Sequence, residues 1–112
     1  MAEEYTRVSG NISGTDNTDS DELVLTEGGV VVVDYTWTAG SATLPVETSL
    51  DAGTTYVPFT DSNGTAITAS ISTSTKHYRA EFLGQAGQRF RINPSGATSA
   101  DIDYRMSVVK VS

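Results

Sequence analysis

The sequence contains no cysteine and only one histidine, His77. Without cysteine there is no disulfide framework and no thiolate metal site, so packing and backbone pairing must stabilise the fold. One histidine leaves nothing for a histidine-rich metal site, and we place it on the outer face of a strand rather than in a Ser-His-Asp relay. We therefore predict no catalytic residue, no metal and no cofactor, and we do not expect an enzyme.

Long apolar runs are also absent. The N-terminal stretch MAEEYTRVSG has acidic side chains where a secretory signal needs a basic start followed by an apolar segment, and no later stretch is long enough to span a bilayer. We predict a chain that is made in a cytoplasm and has no membrane partner. Its 112 residues are enough for one domain with a single core.

Basic side chains are scarce, and the formal net charge is −7. That charge disfavours non-specific binding to nucleic acid, because a phosphate backbone is repelled. Residues 1–27 hold seven acidic side chains and one arginine, whereas 28–112 are almost neutral. We divide the chain into an acidic N-terminal arm with the first strand or strands, 1–27, and a body, 28–112. The arm either aids solubility as a solvated segment or docks on a basic neighbouring surface.

No segment repeats apolar residues at helical spacing, and Thr, Ser, Val and Gly dominate, which predicts an all-β protein. The stretch VVVVDYTW alternates so that Tyr35 and Trp37 share an inward face, and GQRFRIN puts Phe90 and Ile92 opposite two arginines. Small-residue and polar clusters such as TAGS and DSNGT predict turns between strands, and SGNISGTDNTDSD predicts a mobile arm or linker. We predict an antiparallel β-sandwich or jelly-roll-like barrel of about eight strands with an extended N-terminal arm.

The stretch SLDAGTTY resembles the Asp-box of sialidases and other β-propeller proteins. A sialidase needs several such repeats, converging arginines and an activated nucleophile, and one copy in a single domain cannot supply them. Ser49, Asp51, Gly53 and Tyr56 instead meet the needs of a stable turn. Asp bonds backbone amides, Gly takes positive φ, and the aromatic ring packs over the turn. We predict a structural turn.

The stretch DNTDSDE has the carboxylates of Asp16, Asp19 and Asp21, which are oxygen ligands that Ca²⁺ accepts. It lacks the glycine and the closing glutamate of an EF-hand loop. We therefore interpret it as an acidic cluster without a metal, and calcium binding by residues 16–22 stays open.

Four features occur in order along the chain: EGGVVVVDYTW, GSATLPVETSLDAGTTYVPF, DSNGTAIT and RFRINPSGATSADIDYRMSVV. Their order, over residues 28–111, resembles the small β-sandwich virion proteins of tailed bacteriophages, in which an SGATSADI-like turn precedes the last strand. Tyr56 stands where such hairpins more often have Trp, and the acidic arm lies outside the resemblance. The resemblance implies a structural virion protein, namely a capsid decoration (cement) protein that binds and stabilises the head. A head-fibre base, a neck protein or a tail accessory protein remains an alternative.

The predicted partners are the major capsid protein or another virion protein, together with further copies of the chain in a trimer or other symmetric oligomer. The residues that we assign to partner binding lie in the arm and on the basic strand: Glu3, Glu4, Tyr5, Arg7, Arg89 and Arg91. A glycan-binding module on the virion surface is the second hypothesis, because sugars stack on flat aromatic rings such as those of Trp37, Tyr35, Tyr56 and Tyr78. Alternation favours core positions for Trp37 and Tyr35.

Overall fold

The computed structural model describes residues 2–60, 63–71 and 77–111, without the side chains of 2–5, 39 and 111. Within these ranges the protein is all-β and antiparallel, with a sandwich-like or barrel-like arrangement and no helix. The strands are β1 (Ala2–Gly14), β2 (Leu23–Val24), β3 (Gly29–Ser49), β4 (Val57–Pro58), β5 (Thr68–Ile71), β6 (His77–Gly84), β7 (Arg89–Ile92) and β8 (Ser95–Val111). The predicted fold class is confirmed.

Strand β3 belongs to two sheets and joins them. Its residues 29–45 pair with β6, β8 and β5 in a large sheet, whose outer strand β1 pairs with β8. Its residues 46–49 pair with β7 and β4 in a small sheet, and β7 also pairs with β2. Pro45, the last residue before the change of sheet, fits this position because proline marks bends and irregular places in strands.

The core lies between the inner faces of these sheets. The alternation read from VVVVDYTW is confirmed, since Val31, Val33, Tyr35 and Trp37 are buried. In β7, Phe90 and Ile92 are fully buried, as their spacing predicts. Burying these side chains removes apolar surface from water, which is the main force that closes the sheets on each other.

Two predicted turns are instead parts of continuous strands. TAGS lies within β3, and SGATSADI lies within β8. Between the pairs Ala39↔Asp101 and Ser41↔Thr98, β8 has one more residue than β3, which is a β-bulge. Gly40 and Ser99 take positive φ there, of 88° and 47°. The prediction of turns was wrong because a bulge needs the same small and polar residues as a turn.

The N-terminal segment is also more ordered than its sequence predicts. Ala2–Gly14 forms β1 and pairs antiparallel with β8, from Ala2↔Val111 to Gly14↔Ala100. The mobile segment predicted to begin at Ser9 is therefore wrong for residues 9–14. Ile12 is buried in the core, and β8 supplies most of the apolar side chains of this pair. The boundary between 27 and 28 stays a prediction.

Candidate interaction surfaces

The stretch SLDAGTTY forms a turn centred on the hydroxyl of Ser49. This hydroxyl donates to the Asp51 carboxylate at 2.7 Å and accepts from the amides of Asp51, at 3.3 Å, and Gly53, at 3.0 Å. The Asp51 carboxylate also accepts from the Thr55 amide at 2.8 Å. Gly53 has φ of 86°, and a Cβ there would lie 2.6 Å from a carboxylate oxygen of Glu22. One hydroxyl thus uses its donor and both acceptor positions to hold the turn.

Removing the Ser49 hydroxyl should destabilise the folded protein. We expect Ser49→Ala to lower the free energy of unfolding by about 1–3 kcal/mol, because Ser49 is buried and two amides lose their acceptor. Chemical denaturation measures the change. The control is Ser70→Ala, at an exposed position of β5, which should stay within about 0.5 kcal/mol of the parent. Equal effects of the two substitutions would contradict this role of Ser49.

Tyr56 follows the turn and joins a charged cluster, while the packing of its ring over the turn stays a prediction. Its hydroxyl donates to Glu22, and the Arg91 guanidinium lies 4.0 Å from the centre of its ring. Burial, followed by the bond to Glu22, raises the pKa of Tyr56. Glu22 in turn has a lowered pKa, chiefly because it accepts this bond. Tyr56 therefore connects the turn to the acidic segment before β2.

Arg89 and Arg91 already have partners within the chain. Arg89 contacts Glu22 at 3.0 Å, and Arg91 contacts Asp19 at 3.2 Å and Glu47 at 2.8 Å. The acidic segment 19–22 therefore docks on the basic strand β7 of its own chain. The same attraction was predicted between neighbouring copies, and that intermolecular contact stays a prediction.

The other predicted partner-binding residues all belong to β1. Arg7 is exposed and pairs by register with Ser107 of β8. Glu3, Glu4 and Tyr5 are in the strand, but their side chains lie outside the described part of the chain. These residues therefore lie on the outer strand of the large sheet, whereas Arg89 and Arg91 lie on β7 of the small sheet.

Two of the three carboxylates considered for calcium, those of Asp16 and Asp19, have protein partners. Asp16 accepts from the amide of Thr18 at 3.0 Å and from its hydroxyl at 2.5 Å, and these bonds lower the pKa of Asp16. Asp19 pairs with Arg91. Among the described residues, no three acidic or imidazole groups cluster as they would around a metal ion.

The aromatic side chains proposed for sugar stacking are mostly inside. Trp37 and Tyr35 are buried, as alternation favoured, and the half-buried ring of Tyr78 lies 5.6 Å from that of Tyr35. The Tyr35 hydroxyl has no hydrogen-bond partner within the described ranges, and burial raises its pKa. These three rings stabilise the core and offer little flat surface to a sugar.

Two exposed apolar side chains lie next to each other at the end of the small sheet. Leu50 is 74% exposed and Val57 is 51% exposed. They line a hollow of about 250 Å³ together with Thr48, Asp51 and Thr55, and we call this surface the end patch. Leucine and valine in water are apolar surface that a protein partner can bury. Sequence patterning missed the end patch because alternation with the buried Leu44 and Val46 predicts an inward Leu50, whereas β3 ends at Ser49.

A second surface lies on the outer face of the large sheet. Six side chains form two rows of three across β8, β3 and β6. By register the rows are Asp103, Thr36 and His77, then Arg105, Asp34 and Arg79. We call this arrangement the polar grid, and it lines a hollow of about 370 Å³. The outward position predicted for His77 is confirmed.

Asp34 is the centre of the polar grid. Its side chain is only 13% exposed, and it contacts Arg105 at 3.2 Å, His77 at 3.4 Å and Arg79 at 3.8 Å. Asp103 accepts from the Asn11 amide at 2.8 Å, which ties β1 to the same face. In each of the stretches DYT, HYR and DYR, the first and third residues are polar and lie on the outer face, on either side of an inward tyrosine. Only the strand register, which one sequence does not supply, brings them together.

Acid should destabilise the fold. The pKa values of Asp16, Glu22, Asp51 and Asp101 are lowered, and for Asp101 the causes are bonds from Asn11 and Thr38. A lowered folded-state pKa contributes stability above the unfolded value, which is lost as pH falls through the folded value. We therefore expect stability to decline below about pH 4. Urea midpoints at several pH values measure this, and a midpoint that rises or stays constant as pH falls from 5 to 2 would contradict it.

No helix in the described ranges has the length and apolar character needed to cross a bilayer.

No protein-family model and no curated protein matches the chain. The crystal structure of the Yersinia pseudotuberculosis-derived mitogen is similar, with a TM-score of 0.46 and 15% sequence identity over 96% of this chain and 86% of the mitogen chain. Neither value is high enough to transfer an activity, so function is argued from this chain's own residues.

Proposed function

We propose that the chain is a non-enzymatic structural protein of a tailed-bacteriophage virion, and specifically a decoration protein that binds the capsid and stabilises it. The ordered resemblance over residues 28–111 supports this proposal. The structural observation that supports it is the end patch, where Leu50, directly after β3, and Val57, in the short strand β4, present apolar surface to solvent. A head-fibre base, neck or tail accessory role uses the same kind of surface and is the alternative.

The end patch has the properties of a docking surface on a repeated lattice. It is supported by the turn around Ser49, so its backbone is held by hydrogen bonds in advance of binding. A preorganised apolar contact loses less entropy on association than a flexible one. The nearby charges of Glu22, Arg89 and Arg91 pair with each other or with the rest of the chain, which leaves the apolar side chains to face the partner.

Capsids assembled without the protein test the proposal. The purified chain should co-sediment with them up to a saturating number of copies and should raise their thermal stability. The double variant Leu50→Asp with Val57→Asp should lose binding, because an unpaired charge would be buried in the contact. The control is Leu83→Asp, at an exposed leucine of β6 in the large sheet. Absence of binding by the parent protein would contradict the decoration role.

Self-association belongs to the same proposal and needs a different experiment. Deleting residues 1–20 would remove β1 from the large sheet, so a truncated chain cannot separate assembly from folding. Charge removal at Glu3 and Glu4 keeps the strand. Light scattering should give the mass of a trimer or another closed oligomer for the parent chain. A smaller mass for Glu3→Gln with Glu4→Gln would assign these carboxylates to the contact, and a monomeric parent would contradict self-association in solution.

A further inference from the structure

We propose that the polar grid is a binding site for a neutral, polyhydroxylated ligand, namely a saccharide. This site lies on the outer face of the large sheet, and it is separate from the end patch at the end of the small sheet. The inference does not depend on the capsid role. The site consists of the six polar side chains that the register of β8, β3 and β6 brings together: Asp34, Thr36, His77, Arg79, Asp103 and Arg105.

The size of the polar grid fits one or two sugar rings. Its rows span three strands, or about 10 Å at the usual strand spacing, and its columns span two residues, or about 7 Å. The hollow above it has a volume of about 370 Å³. That volume lies within the usual range of small-ligand sites, about 300–1,000 Å³.

The charges of the polar grid select a neutral ligand. Two carboxylates, Asp34 and Asp103, balance two guanidiniums, Arg79 and Arg105, in the lining of the hollow. A small anion would be attracted by the arginines and repelled by the carboxylates, and the net charge of −7 disfavours it further. A hydroxyl group avoids this conflict because it donates to a carboxylate and accepts from a guanidinium.

The hydrogen-bonding capacity of the grid also suits hydroxyl groups. Arg105 donates through Nη2 to Asp34, and Arg79 donates through Nε to Glu81. Each guanidinium has five N–H donors, so both retain donors for a ligand. Asp34 is mostly covered by three cationic or imidazole groups and therefore holds them in place, while the exposed Asp103 supplies an acceptor.

A zwitterionic ligand is the closest competing chemistry. Its ammonium group would need an accessible carboxylate that is not already paired. Asp34 is only 13% exposed, which leaves the exposed Asp103 as the grid carboxylate that an ammonium group can reach. A zwitterion must align its two opposite charges with Asp103 and one guanidinium, whereas a saccharide can donate to Asp103 and accept from both guanidiniums at once, so the arrangement favours a saccharide over an amino acid.

Two-dimensional NMR titration of the full chain tests the inference. The probes are D-mannose, D-galactose, N-acetyl-D-glucosamine and lactose, with glycine as a zwitterion and inorganic phosphate as an anion. At least one sugar should shift the backbone amide peaks of residues 34–36, 77–79 and 103–105, and glycine and phosphate should not. Failure of all four sugars to shift these peaks, a shift confined to other residues, or stronger shifts by glycine or phosphate would overturn the proposal.

Substitutions give the second readout. Arg79→Gln should raise the dissociation constant of the bound sugar at least about tenfold, because a hydrogen bond from a charged donor is lost. Lys110→Gln is a matched control, because Lys110 is 51% exposed against 50% for Arg79 and is also ion-paired. Thr36→Val removes one hydroxyl with little change in shape and should also weaken binding. Unchanged affinity in both grid variants, with native-like spectra, would overturn the assignment.

Discussion

Phe90→Ala should lower the free energy of unfolding by about 3–5 kcal/mol. Phe90 is fully buried in β7, and its ring packs at 5.2 Å from that of Phe82 and at 5.4 Å from that of Phe59. The substitution removes apolar surface from the core and leaves a cavity that the surrounding strands cannot close completely. The contact between Phe90 and Phe82 also connects the two sheets, because Phe90 belongs to the small sheet and Phe82 belongs to the large one.

Chemical denaturation followed by the fluorescence of Trp37, which is buried in the same core, measures this loss. Leu83→Ala is the control, because Leu83 is largely exposed on β6 and should change stability by no more than about 0.5 kcal/mol. A cost below about 1 kcal/mol for Phe90→Ala would mean that the aromatic cluster is not the contact that holds the two sheets together.

Gly40→Ala is the second large effect, and we expect it to cost at least about 3 kcal/mol. Gly40 has φ of 88°, and a Cβ there would overlap the backbone carbonyl of Ser99 and lie 2.5 Å from the Cα of Ala100. Backbone atoms of the neighbouring strand cannot rotate away as a side chain can. The bulge would therefore have to open, and the pairing between β3 and β8 would loosen around it.

Gly87→Ala isolates the contribution of that close approach. Gly87 has nearly the same φ, 86°, but a Cβ there would meet no atom within 4 Å. It should cost only about 1–2 kcal/mol, from backbone conformation alone. Equal costs for the two substitutions in thermal or chemical unfolding would contradict the close packing of β3 on β8 at Gly40.

Alternation along the chain predicted the strands whose two faces differ most. Phe90 and Ile92 opposite two arginines, and Tyr35 and Trp37 opposite Asp34, lie as their spacing requires. This works because a strand half in water needs apolar residues at every second position. The fold class follows from many such segments, and so it was predictable from composition and periodicity together.

The N-terminal strand and the bulge were not predictable in the same way. In β1 the core-facing positions include Gly10, and a Cβ there would lie 2.5 Å from the hydroxyl oxygen of Tyr104. The ring of Tyr104 in β8 therefore takes the space that a side chain of β1 would fill, and the apolar pattern of Val8 and Ile12 is interrupted at Gly10. Gly40 and Ser99 gave a turn signal because positive φ is common to turns and bulges.

The candidate sites depended even more on three-dimensional placement. Residues of the turn were recognisable because Ser49, Asp51 and Gly53 are close in sequence. The polar grid joins strands that are far apart in the chain, and its members meet through the register pairs of Asp34 with Arg79 and Arg105 and of Thr36 with His77 and Asp103. Arg89 and Arg91 were predicted to face outward, but their acidic partners could not be chosen from a chain with fourteen carboxylate side chains.

We propose that the chain is a structural part of a virion, and quantitative mass spectrometry of purified particles, produced from the genome that encodes the chain, tests this role. We expect the protein in every preparation, at a ratio to the major capsid protein that stays constant through density-gradient purification. Its absence from purified particles, or an amount that declines with each purification step, would contradict the virion role.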